Sequence, residues 1–298
     1  MLFRSIVLRK TGGINANFSR MASRIIFNVA LPVLIFLKLS EVDVASLINV
    51  KQIVFCYLLT LVFYGGLWIA GHRWIADGPT RGAFIQGGFR SNFAVIGLTI
   101  AWAIFGEYGL SKTALLLSAI IPMNNILAVV ALMMTQDQHR GLGWGRMLKM
   151  IVDNPLILAT GVAIGFSLLD WRLPEVLMKT GQYLASMTLP LALLSIGGAL
   201  TLDSLKNDMK LTGVSAAIKL VVLPVIATAL AIQWGFLKED LIAIYLLFAS
   251  PTAVASYVMA EAMGSNGRLA GSIVLMSTLG SIISLSAGIY ALKSMGFI

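Results

Sequence analysis

Nine mostly apolar runs of at least 18 residues recur along this 298-residue chain, near 22–39, 53–71, 83–105, 113–134, 152–169, 182–200, 212–234, 241–263 and 270–292. No other feature constrains the fold as strongly. A hydrocarbon core about 30 Å thick needs roughly 17–25 helical residues per crossing. Inside it a backbone must satisfy its own hydrogen bonds, and runs this long select helices over barrel strands. Composition points the same way, with 58% hydrophobic and 12% charged residues. So few charges could not cover a soluble globule. A disordered chain, a nucleic-acid-binding module and a typical cytosolic enzyme are thereby excluded as expectations. The formal charge of +9 is scattered between the apolar runs, as expected for topology determinants touching anionic headgroups rather than nucleic acid. Cys56 lies within an apolar run, and the opening MLFRSIVLRK has no secretory pattern. The expected fold class is an all-α polytopic membrane protein.

Basic residues alternate between the two sets of connections. The richer set holds Arg4, Arg9, Lys10, Arg20 and Arg24, then Arg73 and Arg81, Arg140, Arg146 and Lys149, Lys206 and Lys210, and Arg268. The poorer set holds Lys38, Lys51, Lys112, Arg172, Lys179, Lys238 and Lys293. The positive-inside rule makes the first set cytoplasmic, which puts the C-terminus outside a cell (inner) membrane.

LPVLIFLKLSEVDVASL at 31–47 aligns without gaps to LPLALLSIGGALTLDSL at 189–205, an offset of 158 that also relates Gly106 and Gly109 to Gly264 and Gly267. The implied units are 1–149 and 150–298. Each holds an odd number of crossings, five, so the second enters the membrane upside down, as in secondary transporters with inverted repeats. In this ten-helix plan the first helix is incomplete, because residues 1–8 reach only about 12 Å. A start set too late or a truncated chain is the expectation, and a nine-crossing protein with a re-entrant stub is the alternative.

Inverted-repeat carriers hold substrate near the midplane, where paired helices break. Crossings 4 and 9 carry the break signals: Arg90, Ser91 and Asn92 in GGFRSNFAVIGLTIAWAIFG, and Ser250, Pro251 and Thr252 in LIAIYLLFASPTAVASYVMAEAMG. Under the offset Asn92 corresponds to Ser250. Pro251 removes an internal N–H, and the half-helix that follows a break presents N–H groups that favour an anion. Asn124 and Asn125, in IIPMNNILAVV, are two adjacent amides deep in the fifth crossing, either at the site or in interhelical hydrogen bonds. Arg90 and Lys219 each sit about one helical stretch of seven residues from a cytoplasmic end. Either could attract an anion from a shared vestibule, and Lys219 could equally snorkel to the headgroups. Glu261 reads as solvated near its helix end, or paired with Lys219 or Arg268. His72 and His139 fall in loops, and no metal cluster, cofactor motif, GxSxG nucleophile or P-loop is evident, so no enzyme activity, metal or cofactor is expected.

Six segments in order, KTGGINANFSRMASRIIFNVALPVLIF, RSNFAVIGLTIA, PMNNILAVV, NPLILATGVAIGF, LPLALLSIGGAL and SPTAVASYVMAEAMG, resemble the auxin efflux carrier family, bacterial-type permeases of the bile/arsenite/riboflavin transporter superfamily. The resemblance implies ten helices in two inverted five-helix repeats, with broken helices 4 and 9 crossing at the substrate site. It also implies organic-anion substrates such as malonate, malate or auxin-like carboxylates, a homodimer, and site residues Asn92, Asn124, Asn125, Pro251 and their polar neighbours. Three departures stand out. Thr99 replaces a frequent Pro in helix 4, which predicts a softer break; PMNN only approximates the plant carriers' NPNxY; and the first helix is incomplete. The expected function is secondary transport of small carboxylates. A sodium-coupled symporter of the bile-acid type and a non-transporting sensor or scaffold are the alternatives.

Overall fold

The computed structural model describes residues 15–40, 49–136, 144–199 and 209–298. The expected incomplete first helix, and the basic residues Arg4, Arg9, Lys10, Arg140 and Lys206, lie outside the described residues. The described chain is helical, and five helices are long and apolar enough to cross a membrane: Asn17–Lys38, Val50–Trp74, Tyr108–Met134, Met209–Gln233 and Gly267–Ser294. It is an all-α polytopic membrane protein. Helix faces carry large apolar side chains outward, such as Leu58, Val62 and Ile69 on one helix and Leu279, Ile282 and Ile283 on another. A face of that kind suits hydrocarbon, not water.

We number the helices α1 (residues 16–40), α2 (Val50–Trp74), α3 (Gly78–Phe89), α4 (residues 93–105), α5 (Tyr108–Met134), α6 (Trp144–Val152), α7 (Pro155–Leu168), α8 (Glu175–Ser186), α9 (Thr188–Ala199), α10 (residues 209–233), α11 (Lys238–Ala249), α12 (Val254–Ala262) and α13 (Gly267–Ser294). Gly106, at φ 63 and ψ −150, separates α4 from α5. That left-handed φ is open to glycine at little cost.

Prolines explain most local irregularities. In α1 a π-helical turn at Ile26–Ala30 precedes Pro32, and in α10 a π turn at Ile218–Val222 precedes Pro224. Each proline lacks the N–H that would close the regular ladder, and the widened turn makes room for its ring. Pro190 sits just past the joint at Met187 between α8 and α9. The expected run 182–200 is thus the second part of a longer arm that begins at Glu175, and the run 152–169 contracts to Pro155–Leu168. Asn154 caps α7, accepting from the Leu156 N–H at 3.0 Å.

Two packed groups emerge. In the first, α1 lies against α7, α8 and α9. The second collects α2, α3, α4, α5, α10, α11, α12 and α13 around the expected crossings 4 and 9. They touch where α12 meets α1 and α9, and where α5 meets α7. Within the second group element lengths run in parallel: α2 and the Met209–Gln233 helix have 25 residues each, and α3 and α11 have 12 each.

Candidate functional site

The expected crossings 4 and 9 are both interrupted, and the interruptions touch. α3 stops at Phe89; Arg90 (φ −73, ψ 122) and Asn92 (φ −83, ψ 42) leave the helical region before α4 begins at Phe93. α11 stops at Ala249; Ser250 (φ −59, ψ 141) and Ala253 (φ −63, ψ 136) are extended before α12 begins at Val254. The two extended strips pair antiparallel at Ser91 and Thr252. The Asn92 N–H donates to the Pro251 carbonyl at 2.7 Å and the Ala253 N–H to the Arg90 carbonyl at 3.2 Å. The Thr252 hydroxyl donates to the Gly87 carbonyl at 2.7 Å, and the Ser91 hydroxyl to the Ser250 carbonyl at 3.4 Å. Such exposed main-chain groups survive at membrane depth only when enclosed by protein. Residues 81–90 of crossing 4 and 241–253 of crossing 9 are buried throughout. At Gly88 an added Cβ would lie 2.9 Å from a Leu67 methyl, so the glycine lets α2 close over the break.

Breaks thus meet with Asn92 against Pro251, while α3 and α11 end 160 residues apart, two more than the sequence offset of 158. Thr99, expected to soften the fourth-helix break, lies inside the continuous helix past the π turn at Phe93–Gly97. Here Arg90 to Asn92 make the interruption without a proline, because Pro251 and Ala253 supply replacement partners from the other chain segment.

Six of the expected site residues, Arg90, Ser91, Asn92, Ser250, Pro251 and Thr252, meet in this crossover, and Asn125 joins them through Arg90. The Arg90 guanidinium is buried, donates to the Asn125 side-chain oxygen at 3.0 Å, and also contacts the Met259 sulfur. With its amide oxygen turned toward Arg90, Gln86 accepts from Nη1 at 3.2 Å and donates to the Ser256 carbonyl at 3.2 Å. Among the described residues no carboxylate pairs with Arg90. A buried guanidinium held only by amides and a thioether keeps most of its charge unanswered, a costly state unless an anion completes it. Asn124 does not share this contact; its side-chain oxygen is buried without a hydrogen-bond partner among the described residues.

Five helices that start elsewhere, α1, α2, α3, α7 and α13, are capped by the side chains of Asn15, Asn49, Asp77, Asn154 and Asn266. The two half-helices that start at the crossover, α4 and α12, have no side-chain cap at Asn92 or Ala253, and α8 and α11 likewise start without one at Pro174 and Leu237. First-turn N–H groups need acceptors, so an uncapped start presents the positive end of its helix dipole.

Lys219 departs from both of its sequence readings. It is fully buried, reaches neither headgroups nor a vestibule shared with Arg90, and donates from Nζ to the Phe248 carbonyl at 2.7 Å. Glu261 is partly buried and lines a cavity of about 420 Å³ with Arg20, Asp77, Asn266 and Arg268, where the ends of α1, α3, α12 and α13 converge. Among the described residues no cluster of three metal-ligating side chains occurs.

Sequence reasoning missed Gln86, Thr160, Ser256, Tyr257 and Met259. Gln86 stands one helical turn before Arg90, the spacing at which side chains share a face, and that signal was readable. Thr160, which receives an Asn125 amide donation at 3.5 Å, and Tyr257, whose hydroxyl donates to the Ser195 carbonyl at 3.1 Å, link the two helix groups across their contact. No local pattern announces such partners.

Five helices are thus long and apolar enough to cross a membrane, and two interrupted segments packed among them are joined at their breaks. Residues 145–289 match the family model described as membrane transport protein. Across 283 residues, 94% of this chain and 91% of the relative, it is 24% identical to an "Uncharacterized transporter" of Methanothermobacter thermautotrophicus. A second "Uncharacterized transporter", from Methanocaldococcus jannaschii, is 21% identical over 283 residues, 91% of this chain and 89% of the relative. A "Putative malonate transporter" of Rhizobium meliloti is 28% identical over 147 residues, 49% of this chain and 46% of the relative.

Proposed function

We propose that the chain is a secondary transporter of small organic carboxylates, with the crossover as its substrate site. One observation carries the reading: the buried Arg90 guanidinium, without a carboxylate partner among the described residues, extends from the interruption at which two half-helices start without side-chain caps. A carboxylate would accept a forked pair of hydrogen bonds from the guanidinium and further bonds from first-turn N–H groups. Asn124 and Asn125 supply amides at the same level of α5. A dicarboxylate of malonate size is the favoured cargo, and the partial likeness to the Rhizobium meliloti protein supports that class.

Transport follows from the two helix groups. The crossover group rocks against α1, α7, α8 and α9, breaking and remaking links such as Asn125 to Thr160 and Tyr257 to Ser195. The halves 1–149 and 150–298 are two oppositely inserted repeats, consistent with the parallel element lengths. The cavity bearing Arg20 and Arg268 is the cytoplasmic approach, in a cell membrane with the C-terminus outside.

The test is initial-rate flux in proteoliposomes against mono- and dicarboxylates and their neutral amides. Saturable carboxylate flux, inhibited by malonate and not by malonamide, is expected; flux of the amide at the same rate would overturn the reading.

A further inference from the structure

Two cations are buried at the crossover, and the anion site uses only one. Lys219 has no exposed surface, sits on the π turn of α10, and points its ammonium at the Phe248 carbonyl 2.7 Å away. Phe248 lies in the last turn of α11, where the interruption leaves carbonyls without intrahelical partners. Pro251 has no N–H to offer to Leu247, and Ser250 already closes onto the Leu246 carbonyl through both its N–H, at 3.0 Å, and its hydroxyl, at 2.6 Å. The end of α11 therefore carries the negative pole of a half-helix inside protein, with Lys219 against it. No carboxylate pairs with Lys219 among the described residues, so main-chain dipoles are what hold its charge.

The equivalent end of α3 is treated differently. There the Gly87 carbonyl accepts from the neutral Thr252 hydroxyl, and the nearby charge, Arg90, turns away toward Asn125 and Met259. In broken-helix carriers, unwound carbonyls and half-helix C-terminal ends are where a coupling cation binds. In this chain that position is filled by a side chain.

We propose that Lys219 is a tethered cation standing where a coupling ion would bind: it completes the α11 end, holds the crossover in register, and lets the carrier load its anion without sodium. It is a positioning residue, since it reaches the substrate only through α11 and the Pro251 strip. The inference rests on the crossover being the carboxylate site, but one arm of its test needs no flux.

In proteoliposomes, wild-type carboxylate flux is expected to keep the same KM and maximal rate when sodium is replaced by potassium or choline. Lys219→Gln should lower the maximal rate about tenfold or more in correctly inserted protein, and Lys219→Arg should recover more of it, because a charge is restored at the same end. The second arm is thermal melting of purified protein in detergent. Wild type should melt alike in sodium and choline, whereas Lys219→Ala, which vacates the carbonyl end, should gain a sodium-specific rise. Sodium-specific stabilisation of the wild type, or Lys219→Gln with wild-type rates, would overturn the proposal. Absence of carboxylate flux in the wild type would instead remove the substrate assignment, and the melting arm would then decide the tethered cation alone: the sodium-specific rise in Lys219→Ala upholds it, and its absence ends it.

Discussion

The interruptions at Arg90–Asn92 and at Ser250–Ala253 open alike, with extended backbone at Arg90 and Ser250, and differ in their chemistry. Each ends a 12-residue half-helix and each lends a main-chain acceptor to the other. One is enforced by Pro251, whose ring cannot continue a helix; the other has no proline and depends on its neighbour for the hydrogen bonds that it gives up. One end is held by the ammonium of Lys219, the other by the hydroxyl of Thr252. The proline side is thus the template, and the Arg90 side is where charge is left available. Half-helices of equal length do not imply equivalent chemistry at their ends.

That contrast breaks most sharply at Arg90. Arg90→Met should reduce carboxylate flux about a hundredfold in correctly inserted protein, since it removes the forked donor and the unanswered charge together. Initial rates normalised to inserted protein check this; a loss under about threefold would move the anion elsewhere. Asn125→Ala comes next, at about tenfold, because Arg90 then loses the oxygen that orients it. Its KM should rise more than its maximal rate falls. Pro251→Ala should have the smallest effect, about threefold, because the strip remains pinned by the Asn92 and Ala253 N–H bonds. If Pro251→Ala proves the more damaging of the three, the proline side is the chemical half of the crossover and the comparison reverses.

Much of this architecture was legible beforehand. Apolar run length located the five long helices, and Pro251 marked its break unaided. Arg90 and Asn92 were conspicuous because polar groups in a crossing are expensive. The partner of Lys219 was not legible: its depth in the sequence suggested a vestibule or the headgroups, and only packing of α10 on α11 shows which carbonyl a long side chain reaches. The π turns before Pro32 and Pro224 were equally hidden, because hydrophobic periodicity reports a face and not a helical pitch. Thr99 misled for a related reason. A break can be made by partners from a distant segment, so the local absence of proline says little about its sharpness.

Equilibrium binding of malonate to purified protein tests the central claim most directly, because it needs neither a gradient nor a completed cycle. Titration calorimetry should give saturable binding to the wild type and none to a folded Arg90→Met variant. Equal malonate affinity in the two proteins would contradict the account.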